Sequence, residues 1–366
     1  MKGGERTRRA SGKGAVDMAV ITEDVPIPQQ MDKFWPSSIN KTALQHLTRV
    51  IAAEQHLPIP IILSGSVVDE EVVPAVLICP RRSSDEFSSP ENINSLTGTV
   101  EEADDRLLLH CAWEVTRGCD RLMVISNDTD TVVRLLRFIH EWRDHGLNEL
   151  WVEFGHGERR RHLPLHILTD RLGLQMCQVL VKVHVLTGDD AFSKIGTKHA
   201  AYTCEPDKYL HNFAESEDLT EESTKLAEEY LVRVWTSAGR NTVCKTFDHA
   251  RYESHINSNH PKPLELLPPT SSVIQNHIKR AFFILRNVLN ILNEQYTVPD
   301  ATNYGWLLED ATMLPVKGLK SIPPEILTVC QCGGQCDTRR CVCRRGGMSC
   351  VVFCHAANNS ECRNDY

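Results

Sequence analysis

Apolar residues return along this chain in two rhythms, and the changes of rhythm mark its elements. From Asn40 to Ile51, Leu44, Leu47, Val50 and Ile51 recur at helical spacing, with Asn40 placed to cap the first turn. Ile59–Leu63 and Val72–Cys79 are short runs rich in β-branched residues, which predict strands; the serine- and acid-rich stretch 81–98 predicts a loop. Glu101–Val115 returns to the helical period, with Leu108, Cys111, Ala112 and Val115 on one face. Leu122–Ile125 then predicts a short buried strand, and Val132, Val133, Leu135, Leu136 and Ile139 predict the helix after it. Leu150–Phe154 reads as a strand and Leu163–Leu172 as a short helix with a proline near its start. Gln178–Leu186 reads as a strand or a buried helix, because its apolar run has no clear period.

Beyond residue 205 the helical period dominates. Residues 219–235 place Leu226, Tyr230, Leu231 and Val234 on one face. Residues 272–292 do the same with Ile274, Ile278, Ala281, Leu285, Val288, Leu289 and Leu292, and core packing explains both stripes. His277, Lys279, Arg280 and Arg286 read as a solvated basic face of the second helix. The resulting division is an irregular basic arm over 1–39, an α/β domain over 40–204, a mainly helical region over 205–325 and a cysteine-rich module over 326–366.

Composition narrows the class of protein. A chain of 366 residues, 41% hydrophobic and 24% charged, is long enough for two domains. A formal charge of −8 argues against wholesale coating of nucleic acid, so a local basic patch would carry any such contact. No apolar segment follows Met1 as in a secretory leader, and no run reaches the ~20 residues that span a bilayer. The expected setting is nuclear or cytoplasmic, not secreted and without a membrane partner, where thiols stay reduced. Of the 14 cysteines, six are scattered, as buried small hydrophobes would be, and eight crowd the stretch from Cys330 to Cys362.

Three acidic clusters then stand out at predicted element edges: Glu102/Asp104/Asp105, Asp128/Asp130 and Asp189/Asp190. Asn127-Asp128 taken alone reads as an ordinary turn with helix-capping acids. Four carboxylates within Glu101–Asp105 exceed what a helix start requires, and their repulsion asks for a counter-charge. Converging carboxylates suit hard divalent ions, and a metal pair so held stabilises in-line displacement at phosphate.

At these clusters the chain resembles the PIN-like and flap-endonuclease (5′-nuclease) superfamily. Glu102-Ala-Asp-Asp105 is similar to the element that opens its metal-binding helix, Ser126-Asn-Asp-Thr-Asp130 to its Ser-x-Asp-x-Asp turn, and Gly188-Asp-Asp190 with Ile195-Gly-Thr-Lys198 to its Gly-x-Asp element. The resemblance implies a PIN-like parallel sheet flanked by helices. It also implies Mg²⁺ or Mn²⁺ held by Glu102, Asp104, Asp128, Asp130 and Asp190, with Asp105 and Asp189 as neighbouring candidates. Lys194 and Lys198 would position phosphate. The family also uses an aspartate on a first strand, which Asp17 matches poorly because it follows the basic arm Arg6–Arg9; the resemblance implies that this strand lies upstream of the chain given. Asn40-Lys-Thr-Ala-Leu44, Leu186-Thr-Gly188, Leu267-Pro-Pro-Thr270 and Gly305-Trp306 further resemble mobile-element-associated animal proteins that pair such a domain with a cysteine-rich module.

The tail places cysteines at 330, 332, 336, 341, 343, 350, 354 and 362. Eight thiols in a reduced segment too small to fold by core burial predict structural Zn²⁺ rather than disulfides. Eight thiolates close two tetrahedral sites, or three if some sulfurs bridge. The spacing resembles the tesmin-type CXC module, which implies a small zinc cluster that contacts DNA; Ala356 stands where that pattern has a further cysteine, and His355 is a candidate substitute. Arg339, Arg340, Arg344 and Arg345 suit phosphate contact, with DNA expected in preference to RNA. The function expected is therefore a metal-dependent nuclease with a zinc-bound tail. The alternatives are a non-catalytic DNA-binding or scaffold protein that keeps the fold, and a zinc module that binds other proteins.

Overall fold

The structure is a computed structural model. It describes residues 17–18, 21–22, 24–26, 28–29, 31–35, 37–54, 59–68, 71–78, 91–96, 103–189, 193–236, 244–256, 267–309, 312–318, 330–333, 335–345, 350, 354 and 362–364. The architecture is mixed α/β with a cysteine cluster at the C-terminal end. No helix among the described residues is long and apolar enough to cross a membrane.

Helix α1 (Met31–Phe34) leads into α2 (Ser38–Glu54). Asn40 is not the cap: it is fully buried within α2, and its amide joins Met18 N at 2.8 Å to Phe34 O at 3.1 Å. Ser37 takes the capping role instead, its hydroxyl accepting from Asn40 N. Asp17 accepts from Ser37 Oγ at 2.6 Å and lies outside any strand.

A small antiparallel sheet follows, in the order β1 (Ile61–Leu63), β4 (Ala75–Ile78), β5 (Glu91–Ile93), beside a hairpin of β2 (Ser66–Val68) and β3 (Glu71–Val73). The run expected as one strand over 72–79 is interrupted at Pro74, which has no N–H for a ladder. Strand β5 and a 3₁₀ turn over Asn94–Leu96 occupy part of the stretch expected as loop.

The sheet that carries the acidic turn comes next. Helix α3 (Ala103–Thr116) precedes β6 (Arg121–Ile125), which connects through α4 (Thr129–Asp144) to β7 (Glu149–Phe154), and β8 (Arg161–Pro164) leads into α5 (Leu165–Leu172). β6 and β7 are parallel, as a helical crossover allows. β8 is antiparallel to β7, because the short turn between them can only reverse the chain. Three described strands in mixed orientation thus stand where a parallel sheet was expected. Leu108, Val124, Leu135, Ile139, Leu150 and Leu165 fill the core between this sheet and its helices.

The expectation of a buried β6 needs correction. Val124 is buried, but Met123 and Ile125 are 57% and 70% exposed. The run is apolar on both faces, as in a strand covered on two sides, yet among the described residues only one face is covered.

The ambiguous run over 178–186 is helical, within α6 (Leu174–Gly188). Nearly every side chain from Val179 to Thr187 is buried, so no polar face exists to reveal the period. α6 contributes Cys177 and Leu180 to the sheet core and Val179, Val183 and Leu186 to a second core. That second core packs α7 (Lys198–Thr203), α8 (Pro206–Leu210), α9 (Glu221–Thr236), α10 (Phe247–Ile256) and α11 (Ser271–Leu289) together, and so runs across the expected boundary at 204/205. Glu228 joins three of these helices, accepting from Phe247 N at 2.9 Å and Ser271 Oγ at 2.5 Å. On α9 the buried face is turned from the expected stripe, with Leu226 left exposed and Ala227 buried. A hairpin of β9 (Trp306–Glu309) and β10 (Thr312–Pro315) follows, which helical periodicity had not suggested. In the tail, α12 (Val342–Arg345) is a single turn.

Candidate functional site

The acidic turn is built by the end of a strand meeting the start of a helix. Ser126 N donates to Glu153 O at 3.1 Å, extending the β6–β7 ladder by one residue. Asp128 then adopts an extended conformation (φ −98°, ψ 130°) and caps α4, accepting from Asp130 N at 2.9 Å. That placement agrees with the simpler reading of Asp128 as a capping acid.

From the cap a hydrogen-bond chain runs inward. Asp128 N donates to Ser126 Oγ at 3.1 Å, and Ser126 and Thr131 hydroxyls meet at 2.8 Å. Thr131 Oγ1 donates to Asp104 Oδ1 at 2.5 Å, so the Ser126 hydroxyl must donate to Thr131. The chain thus ends on the Asp104 carboxylate at the start of α3. Asp104 and Asp130 are both buried. Two of the three acidic clusters therefore meet, although 27 residues separate Asp104 from Thr131.

Cations and donors of the protein answer the acids. Arg134, one turn along α4, forms an ion pair with Asp105, supplying the counter-charge that the crowded α3 start requires. His184 Nε2 lies 2.6 Å from Asp130 Oδ1 and donates to it, bringing α6 into the site. In the sequence His184 is concealed inside an apolar run. The available signal was that a polar ring in a fully buried run needs a partner.

The third cluster begins where α6 ends. Gly188 has φ +114°, and a Cβ there would lie 2.7 Å from Lys194 Cα, so only glycine lets the following loop fold back this closely. Ile195 N closes the loop on Thr187 O at 2.9 Å. Lys194 and Lys198 are exposed after it, with Thr197 capping α7. Asp189 follows α6 directly. Glu102 and Asp190, two of the expected ligands, lie outside the described residues. Among the described residues, no set of three acidic groups brings its oxygens within 4.8 Å of one another. Carboxylates are the right donors for Mg²⁺ or Mn²⁺, but the described ones do not by themselves close on an ion.

The cysteines do. Cys330, Cys336, Cys341 and Cys350 form one set, and Cys330, Cys343, Cys350 and Cys354 a second, each with all sulfurs within 4.8 Å. Sulfur separations are 3.6 Å for Cys330–Cys336 and Cys343–Cys354, and 3.8 Å for Cys330–Cys350 and Cys341–Cys350. A zinc–sulfur bond of about 2.3 Å sets the edge of a tetrahedral site at about 3.8 Å. These separations far exceed the ~2.05 Å of a disulfide. Cys330 and Cys350 belong to both sets, as bridging thiolates would. Cys332 borders Cys330, Cys336 and Cys341, and Cys362 borders Cys350. His355 lies outside the described residues.

Packing shapes the acidity of these thiols. Burial and the adjacent Cys354 push Cys343 up to about 11, and burial also raises Cys336 and Cys350. Burial acts against ionisation at Cys341 too, but the Arg344 backbone and the neighbouring thiols of Cys330 and Cys350 outweigh it and bring Cys341 down to about 6. Arg339, Arg340 and Arg345 are exposed around the cluster.

Comparison with known proteins identifies no relative: no family model, curated protein or solved structure matches the chain.

Proposed function

We propose that this chain is a divalent-metal-dependent phosphodiesterase of PIN-like type, with a zinc-bound tail that contacts nucleic acid. The observation that carries the reading is the Thr131–Asp104 hydrogen bond, which joins the acidic start of α3 to the acidic turn before α4 at the carboxyl edge of β6. Open α/β sheets place their sites at that edge. Asp104, Asp128 and Asp130, with Glu102 and Asp190, would hold Mg²⁺ or Mn²⁺, and Lys194 or Lys198 would orient phosphate. When bound, such ions polarise the phosphate and activate water. In the tail, the sulfur separations support structural zinc as the metal of the cysteine sets.

A second reading is favoured by the partners of the acids. Asp105 is paired with Arg134 and Asp130 with His184, as in a protein that keeps the fold and binds DNA without cleaving it. The deciding experiment incubates the chain and an Asp128→Ala/Asp130→Ala variant with labelled flap DNA, single-stranded DNA and RNA in Mn²⁺. Cleavage by the parent and not by the variant supports the enzyme. No cleavage, or equal cleavage by both, leaves the binding protein.

A further inference from the structure

The turn between β7 and β8 leaves the sheet at the same edge as the acidic turn, because β6 and β7 are parallel and in register, Ile125 opposite Glu153. Asn127 locks the two turns together: its Oδ1 accepts from Gly155 N at 2.6 Å and its Nδ2 lies 2.9 Å from His156 Nε2. With Oδ1 committed to Gly155, the Asn127 amide donates to His156 Nε2. His156 is a strut here.

What this strut holds is cationic. His156 through His162 are all exposed, and Arg159, Arg160 and Arg161 stand in succession among them. Gly155 has φ +95°, and a Cβ there would lie 2.4 Å from Arg159 O, so the chain doubles back in a way no other residue permits. A 3₁₀ turn over Gly157–Arg159 follows and directs the arginines outward. Glu153 engages Arg160 and His162, each at 3.2 Å. Among the described residues neither Arg159 nor Arg161 has a carboxylate partner, and Glu158 is the one acid inside the turn.

We propose that the turn from Gly155 to His162 grips the phosphate backbone of a nucleic-acid strand and holds it beside the acidic turn; this rests on nucleic acid being the substrate. A polyanion approaching carboxylates is repelled unless cations flank them, and a fixed flanking element lowers that barrier. Guanidinium forks match phosphate oxygens better than ammonium groups do. The residues differ from those expected in the sequence: Lys194 and Lys198 follow α6, whereas this turn is tied directly to Asn127 of the acidic motif.

The test measures binding of the full, zinc-loaded chain to a labelled single-stranded oligodeoxynucleotide over a salt series, by fluorescence anisotropy and without added Mg²⁺ or Mn²⁺. For Arg159→Ala/Arg161→Ala, the slope of log affinity against log salt should become shallower by about 1.4, at about 0.7 per lost phosphate contact on a single strand. The same change should appear in an Arg339→Ala/Arg340→Ala background, which separates the turn from the tail. Arg159→Lys/Arg161→Lys should keep most of the slope, and all variants should melt as the parent does, since these side chains are exposed. An unchanged slope, a change seen only with the tail intact, or no binding by the parent overturns the proposal. If the slope shifts as expected but no cleavage occurs in Mn²⁺, the catalytic reading fails alone. If the chain cleaves and the slope does not move, the grip fails alone.

Discussion

His184 Nε2 stands 2.6 Å from Asp130 Oδ1, fastening α6 to the first turn of α4 across 54 residues of sequence. Both residues are buried, at 6% and 7% exposure, so neither has water as a ready substitute. Removing the donor strips a buried carboxylate of this hydrogen bond, which costs about 1–3 kcal/mol. His184→Leu should therefore lower the melting temperature by several degrees, at about 2–4 °C per kcal/mol for a core of this size. His184→Gln, which keeps an amide donor, should recover part of the loss. Thermal melts of the two variants check this, and equal melting of both with the parent would show that the contact contributes nothing.

Shared sulfurs make the cysteine positions unequal. Cys350 belongs to both four-sulfur sets and Cys336 to one. Cys336→Ser should lower bound zinc by about one ion per chain, and Cys350→Ser by about two. Elemental analysis after dialysis measures the difference. Equal zinc in the two variants would refute the shared arrangement, and fewer than about two ions in the parent would refute the paired sites.

Zinc should also compete with protons. Burial pushes Cys343 up to about 11 and holds Cys336 and Cys350 high, so these thiols lose a proton when metal enters. Cys341, down at about 6, is already ionised at neutral pH. Apparent zinc affinity should therefore rise with pH through neutrality, and its slope should steepen below pH 6 as Cys341 also takes up a proton. Titration against a chelator of known affinity at several pH values reads the slope, and a flat profile would contradict metal binding through thiolates.

Periodicity in the sequence was enough to place α3, α4, α9 and α11, because apolar residues recur in each at helical spacing. It failed at α6, where burial on all sides removes the contrast that defines a period. The same burial hid His184 and misplaced His277 on a solvated face, though it is 4% exposed. Asn40 has the chemistry of a cap, but the chain before it folds back over α2 and gives the role to Ser37. Cysteine spacing predicted a metal-binding cluster, but which sulfurs are shared depends on how the loops fold. Likewise the acidic clusters are visible in the sequence, while the contacts of Arg134 and Asn127, ordinary residues on their own, arise only through the meeting of distant segments.

His277 ties stability to pH. Its Nε2 donates to Leu186 O at 2.8 Å, and burial, first among the causes, holds its pKa down at about 4 against an ordinary 6.5. The unfolded chain therefore takes up this proton at a higher pH than the folded one. Its contribution is intact above pH 6.5 and is lost as pH falls toward 4, up to about 3 kcal/mol in all. Urea unfolding at pH 7 and pH 5 should show a smaller acid-induced loss for His277→Gln than for the parent. Equal losses would mean that His277 is not the group responsible.

Helix α6 has a solid core against each of its flanks, the sheet core on one side and the helical core on the other. It also carries His184, which grips Asp130, and Lys182, whose ammonium is buried against Glu215 and His211 O at 2.6 Å each. A helix wedged this way has no free side on which to give. A displacement of α6 would therefore carry the His184 donor away from the carboxylate of Asp130.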